Sequence, residues 1–184
     1  MTLQTKLSSF FSILVILLVA AVLAIGLYSF REYSIKTATE QIRSSAEIIR
    51  VNLTEAMING VIDKRESLLR RLMEVPGLKS VRVVRGSQVE QQFGQGMAGE
   101  QPADEIERQV LNDGKAAFEL IEDDADATFR GTIPFVATTR GSPNCLQCHQ
   151  VTEGTVLGAV TITMSIQHLK RNALITMSLM TLAV

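Results

Sequence analysis

Val75-Pro76-Gly77-Leu78-Lys79-Ser80-Val81-Arg82-Val83-Val84-Arg85 is the stretch in which this 184-residue chain changes its period. Upstream, from about Arg31 to Glu74, there is no proline, and apolar residues recur at Ile35, Ala38, Ile42, Ala46, Ile49, Leu53 and Ala56. Steps of three and four put them along one side of a helix. Pro76 lacks the N–H that a helix interior needs, and with Gly77 it marks a helix stop. From Leu78 to Arg85 the valines and basic residues follow a period close to two, which reads as a strand. A long helix followed by strands predicts an α+β fold.

Working downstream, Gly86-Ser87 reads as a turn and Gln88 to Phe93 as a return strand. Gly94 to Pro102, with three glycines and a proline, reads as a loop, and Ala103 to Asn112 as a short helix with Asp104 and Glu105 at its start and Gly114 beyond its end. Candidate strands follow at Ala116 to Glu122 and Thr128 to Thr138, joined by Asp123-Asp124-Ala125-Asp126. That acidic run lacks the glycine and distal glutamate of an EF-hand loop, so it reads as a solvated turn. Thr155 to Ser165 alternates and is rich in branched residues, the pattern of a central strand, and from Ile166 the chain turns helical. The expected architecture is an antiparallel sheet of about five strands with a long N-terminal helix. Asn59-Gly60 interrupts that helix, and its apolar stripe is free to cover the sheet or the same helix of a second chain.

Upstream, Leu7 to Phe30 is almost purely apolar and uncharged, close to the roughly 20 residues that cross a bilayer as a helix. A cleaved signal peptide, with Lys6 as its positive start, is the rival, but the apolar run exceeds the usual 7 to 15 residues of such a core. An uncleaved anchor over residues 1–30 is the expectation, with Tyr28, Phe30, Arg31 and Tyr33 as an interfacial collar. At the other end Lys170-Arg171 precedes the apolar run Ala173 to Val184, too short by itself to span. Residues 171–184 therefore read as the start of a second membrane helix, and residues 31–170 as the domain between the two. Net charge is -1, with the basic residues spread along the chain, so no nucleic-acid partner is expected.

Both cysteines of the chain fall in Asn144-Cys145-Leu146-Gln147-Cys148-His149. C-x-x-C-H is the attachment sequence of a c-type haem: Cys145 and Cys148 add to the two porphyrin vinyl groups, and the adjacent His149 becomes the proximal iron ligand. A redox disulfide and half of a zinc site are the alternatives. Zinc would need further ligands, and only His149 and His168 are present; a thioredoxin-like disulfide would open a helix, whereas Ser142-Pro143-Asn144 and Gly154 bracket a loop. One covalent haem c is the expected cofactor, and because such attachment takes place on the periplasmic side, the main domain is placed in the periplasm of a bacterial inner membrane.

With these motifs the chain resembles the periplasmic haem c sensor domains, PAS-like in fold, that lie between the membrane helices of some bacterial methyl-accepting chemotaxis receptors and related signalling proteins. The likeness covers roughly Arg31 to Lys170 and rests on Val75 to Arg85, on Pro134-Phe135 before the cysteines, and on Gly154-Thr155-Val156-Leu157-Gly158-Ala159-Val160 after them. It implies detection of a ligand or redox state at the haem, a homodimer that can exchange helices, and signal transduction down the second membrane helix. It also implies a distal methionine from the region of Met57. Met73, Met97 and Met164 are the other methionines outside the apolar ends, and each can equally fill core space. His168, beside Lys170-Arg171, reads as an interfacial residue.

The same motif would serve a membrane-anchored monohaem cytochrome that carries electrons to a redox partner. An enzyme is not expected. There is no Ser-His-Asp or Cys-His set, and Gly94-Gln95-Gly96 lacks the third glycine and the strand-to-helix setting of a phosphate loop.

Overall fold

The computed structural model describes residues 3–122, 127–141, 143–167 and 175. The acidic run 123–126, His168 and the C-terminal apolar segment read as a second membrane helix lie outside these, apart from Ile175. The chain divides into two compact units, one of them Ala38–His168 and the other holding Met1–Thr37.

Helix α1, Leu3–Ile58, is the one helix among the described residues that is long and apolar enough to cross a membrane, and its apolar window is exposed to solvent in the isolated chain. Length and composition of this kind suit a membrane anchor and a signal sequence alike. From Ala38 onward the expected stripe is real: Ala38, Ile42, Ala46, Ile49 and Leu53 are buried. Ile42 lies so close to the sheet that a Cβ added at Gly131 would sit 2.7 Å from its Cγ2, and the Arg43 guanidinium stacks 5.0 Å from the centre of the Phe118 ring. The stripe from Ala38 to Leu53 is therefore spent on the chain's own sheet. Each large aliphatic side chain so buried contributes about 1.5–3 kcal/mol.

α1 ends at the expected break. Gly60 adopts a left-handed φ of 66°, its N–H bonds to Met57 O at 3.1 Å, and Val61 N–H reaches back to Ala56 O at 2.9 Å. This pair of bonds satisfies carbonyls that the last turn would otherwise leave open, and glycine adopts the required φ without strain. A short 3-10 turn leads into α2, Arg65–Leu72.

Four antiparallel strands follow: β1 (Leu78–Arg85), β2 (Ala117–Glu122), β3 (Ala127–Val136) and β4 (Val156–Ser165), in the order β1-β4-β3-β2. Registered partners share a face, so Val81, Ile162, Gly131 and Phe118 form one row across all four strands on the side of α1. The row Arg82, Thr161, Thr132 and Ala117 points the other way, toward α4 (Glu105–Asp113). There Val110 packs with Val84 and Ala159, and the fully buried Glu107 accepts from Thr161 Oγ1 at 2.8 Å and from Ala103 N at 2.7 Å. Asp104 caps the start of α4 by accepting from Glu107 N at 2.9 Å, as its position in the sequence predicts.

One element differs from expectation. Residues 88–93 do not return as a strand; Ser87–Phe93 form helix α3, and among the described residues the sheet has four strands rather than about five. Val89 and Phe93, four apart, fit one side of a helix as well as two positions of a strand, and the intervening Gln and Glu residues are better helix formers than strand formers. Gly86, whose N–H bonds to Leu157 O at 2.9 Å, closes the ladder with β4 just before α3 begins.

Candidate functional site

The loop from Ala137 to Thr155 connects β3 to β4 and holds the two cysteines. Its base is tied by Ala137 N to Thr155 O at 2.8 Å and Gly154 N to Ala137 O at 2.9 Å. Inside it, Glu153 accepts from Thr139 N at 3.1 Å and from Thr139 Oγ1 at 3.0 Å, bonds that hold its carboxyl below the usual carboxylate range. Cys145–Gln147 form a 3-10 turn that starts where Asn144 Oδ1 accepts from Leu146 N at 3.1 Å. Cys148 N and His149 N both donate to Cys145 O, at 3.3 and 3.0 Å. Both thiols and the imidazole thus leave one tight turn of backbone.

Helix α3 braces that turn. Gln92 Nε2 donates to Cys148 O at 2.9 Å and Gln92 Oε1 accepts from Gln150 N at 3.0 Å, so one amide spans the peptide groups on either side of His149. The Phe93 ring meets the imidazole edge to face, with centroids 5.4 Å apart. Burial lowers the His149 pKa and favours the neutral ring, and its Nδ1 is buried without a hydrogen-bond partner. An orphaned ring nitrogen of this kind is costly to keep unless something else occupies the site.

Cys145, Cys148 and His149 line a cavity of about 730 Å³, within the range of small-molecule and cofactor pockets. Its other walls are α1 from Arg43 to Ile58, the adjoining ends of β1, β3 and β4, and Val89 of α3. Of the four methionine candidates, Met57 alone lines this cavity, and it is 44% exposed. Met164 is buried in β4 opposite Leu78 and Phe129, Met73 follows α2, and Met97 precedes the 3-10 turn Ala98–Glu100.

Charged residues unmarked in the sequence form part of the same wall. Glu100 Oε1 takes the Nε of Arg65, while Glu100 Oε2 takes Arg85 Nη2 at 3.0 Å and Arg85 Nε at 3.1 Å as well as Met97 N at 3.2 Å. Burial pushes the Glu100 carboxyl up, but the bonds from Arg65, Met97 N and Arg85 outweigh it and leave the pKa below the ordinary value. Nearer the cysteines, Arg50 bonds Glu47 at 2.9 and 2.5 Å. That bond raises the Arg50 pKa, with a smaller contribution from the neighbouring Cys145.

Both cysteines are free thiols, Cys145 half-buried and Cys148 exposed. Among the described residues no group of three or more His, Cys, Asp or Glu side chains is gathered to hold a metal ion. The cavity thus brings two thiols and a buried imidazole whose neutral form is favoured to one wall, a donor set that suits covalent attachment of a haem. Comparison of the chain with protein-family models and with curated proteins finds no match.

Proposed function

We propose that residues 31–170 form a haem c sensory input domain, held to a bacterial inner membrane by α1 and facing the periplasm. The observation that supports it most is the convergence of Cys145, Cys148, His149 and Met57 on one cavity. In this reading the two thiols fix the porphyrin by thioether bonds, and His149 offers a ring nitrogen to the iron. The Met57 sulfur is the candidate sixth ligand. When bound, the haem supplies a one-electron couple and, where the sixth position opens, a place for a small ligand or gas. Gln92 braces the backbone on either side of His149, Phe93 packs on its ring, and α1, which lines the pocket, also carries the apolar segment of the proposed anchor. The sequence resemblance to the sensor domains of chemotaxis receptors supports this reading and implies a homodimer that passes a signal along its helices.

The thiol of Cys148 is exposed, and this favours a second reading, a membrane-anchored cytochrome whose haem edge meets a redox partner. Expression of the full chain in a host that matures c-type haem tests the shared core of both. We expect a covalent haem band at the chain's mass in the membrane fraction, lost in the Cys145→Ser/Cys148→Ser variant. A wild-type chain with no such band would sink both readings.

A further inference from the structure

We propose that Arg65 and Arg85 form a carboxylate-binding subsite in the cavity wall, and that its occupant is a propionate of the haem. The inference rests on the haem reading and adds a specific role for residues outside the attachment motif. Arg65, Arg85 and Glu100 are nearly buried, with side-chain exposures of 10, 15 and 7%. Among the described residues, two guanidinium groups therefore share one carboxylate, leaving an excess positive charge in a largely buried wall. Desolvating a charge in this way is costly unless an anion lies opposite.

The rest of the cluster is spent on the protein itself. Arg65 Nη1 donates to Ile62 O at 2.9 Å and Arg85 Nη1 to Gly94 O at 3.2 Å, which fixes both guanidinium planes in place. Both side chains still line the cavity. Across all its walls the lining holds five arginines and three glutamates, an excess of two positive charges. A haem carries two propionates, at the edge of the ring away from the vinyl groups that thiols attack. Arg65, Arg85 and Glu100 belong to α2, β1 and the Ala98–Glu100 turn, not to the loop of the cysteines. The charge of this wall thus suits a ring whose carboxylates meet the buried arginines.

The test is made on the full, haem-loaded chain in its membrane, with ¹³C-labelled propionates, by redox-difference infrared spectroscopy together with an equilibrium redox titration. Arg85→Gln leaves Glu100 with Arg65 and Met97 N, so the ion pair and the fold are retained. We expect the labelled carboxylate bands to shift in this variant and the reduction equilibrium to fall about tenfold, equal to 59 mV for one electron. Arg85→Lys, which keeps the charge, is expected to restore the equilibrium to within about threefold while leaving the bands displaced, because an ammonium does not reproduce the planar array of guanidinium donors. Unmoved labelled bands in both variants would overturn the subsite. A wild-type band that responds to added acetate would overturn the propionate as occupant and point to a free carboxylate. A chain that carries no covalent haem refutes the underlying reading instead.

Discussion

Met57 is the candidate sixth ligand of the proposed haem, at a position the fold does not depend on. It lines the cavity from α1 while His149 lines it from the β3–β4 loop, and its side chain is 44% exposed, so its truncation costs little packing. Met57→Ala should change stability by no more than about 0.5 kcal/mol. With a methionine as sixth ligand, the same variant should lose the reduced low-spin spectrum and shift the reduction equilibrium downward more than tenfold, because a thioether ligand raises the potential. An unaltered spectrum would remove Met57 from the site. The proposed attachment residues Cys145, Cys148 and His149 could be singled out in the sequence because they are neighbours in the chain with a characteristic spacing. Arg65 and Glu100 could not, since 35 positions separate them and only the fold brings them together. A partial signal existed at Arg85: it shares the parity of Val81 and Val83 in a strand whose inward side faces α1, so an inward arginine was implied once that face was known.

Helix α3 links the cavity to the sheet through Val89, Gln92 and Phe93. It starts where β1 ends, and Gln92 holds the backbone on both sides of His149. Gln92→Ala removes two hydrogen bonds to a loop and leaves the ladders intact, a loss of about 1 kcal/mol that belongs to local opening. Hydrogen exchange should therefore speed up at the Gln150 amide by about fivefold, while the amides of β1 and β4 exchange at unchanged rates. Uniform acceleration across the sheet would mean that Gln92 supports the whole domain rather than the loop. The sequence was ambiguous at this very element: two apolar residues four apart satisfy both periods, and a strand reading was drawn from its neighbour β1. The other strands, with six to ten residues of sustained β pattern, and α4, with an aspartate near its start and a glycine beyond its end, declared themselves.

Two charged clusters join the layers of the Ala38–His168 unit, and both depend on ionised carboxylates. Glu100 binds α2 to β1 through Arg65 and Arg85; Asp104 and Glu107 bind α4 to the sheet, with Asp104 at 2.5 Å and Glu107 at 3.5 Å from Arg130. The pKa of Asp104, like that of Glu100, lies below its ordinary value: burial raises it, and the bonds from Glu107 N and Arg130 more than offset that. An unfolded chain takes up protons near the ordinary values of about 4.3 for Glu and 3.9 for Asp, while the folded chain holds out to lower pH. Stability is therefore fully present above about pH 5 and is lost as the pH falls toward the folded values. Urea unfolding followed by far-ultraviolet circular dichroism, with the denaturant midpoint taken between pH 3 and 7, should show this decline below about pH 5. Glu100→Gln should lower stability at pH 7 by about 3 kcal/mol, because two buried guanidinium groups lose their carboxylate. Its midpoint should then fall less steeply with acid than that of the wild type, since one of the titrating groups is gone. Parallel slopes in the two proteins would mean that Glu100 contributes nothing to the acid limb and that Asp104 and its neighbours account for it.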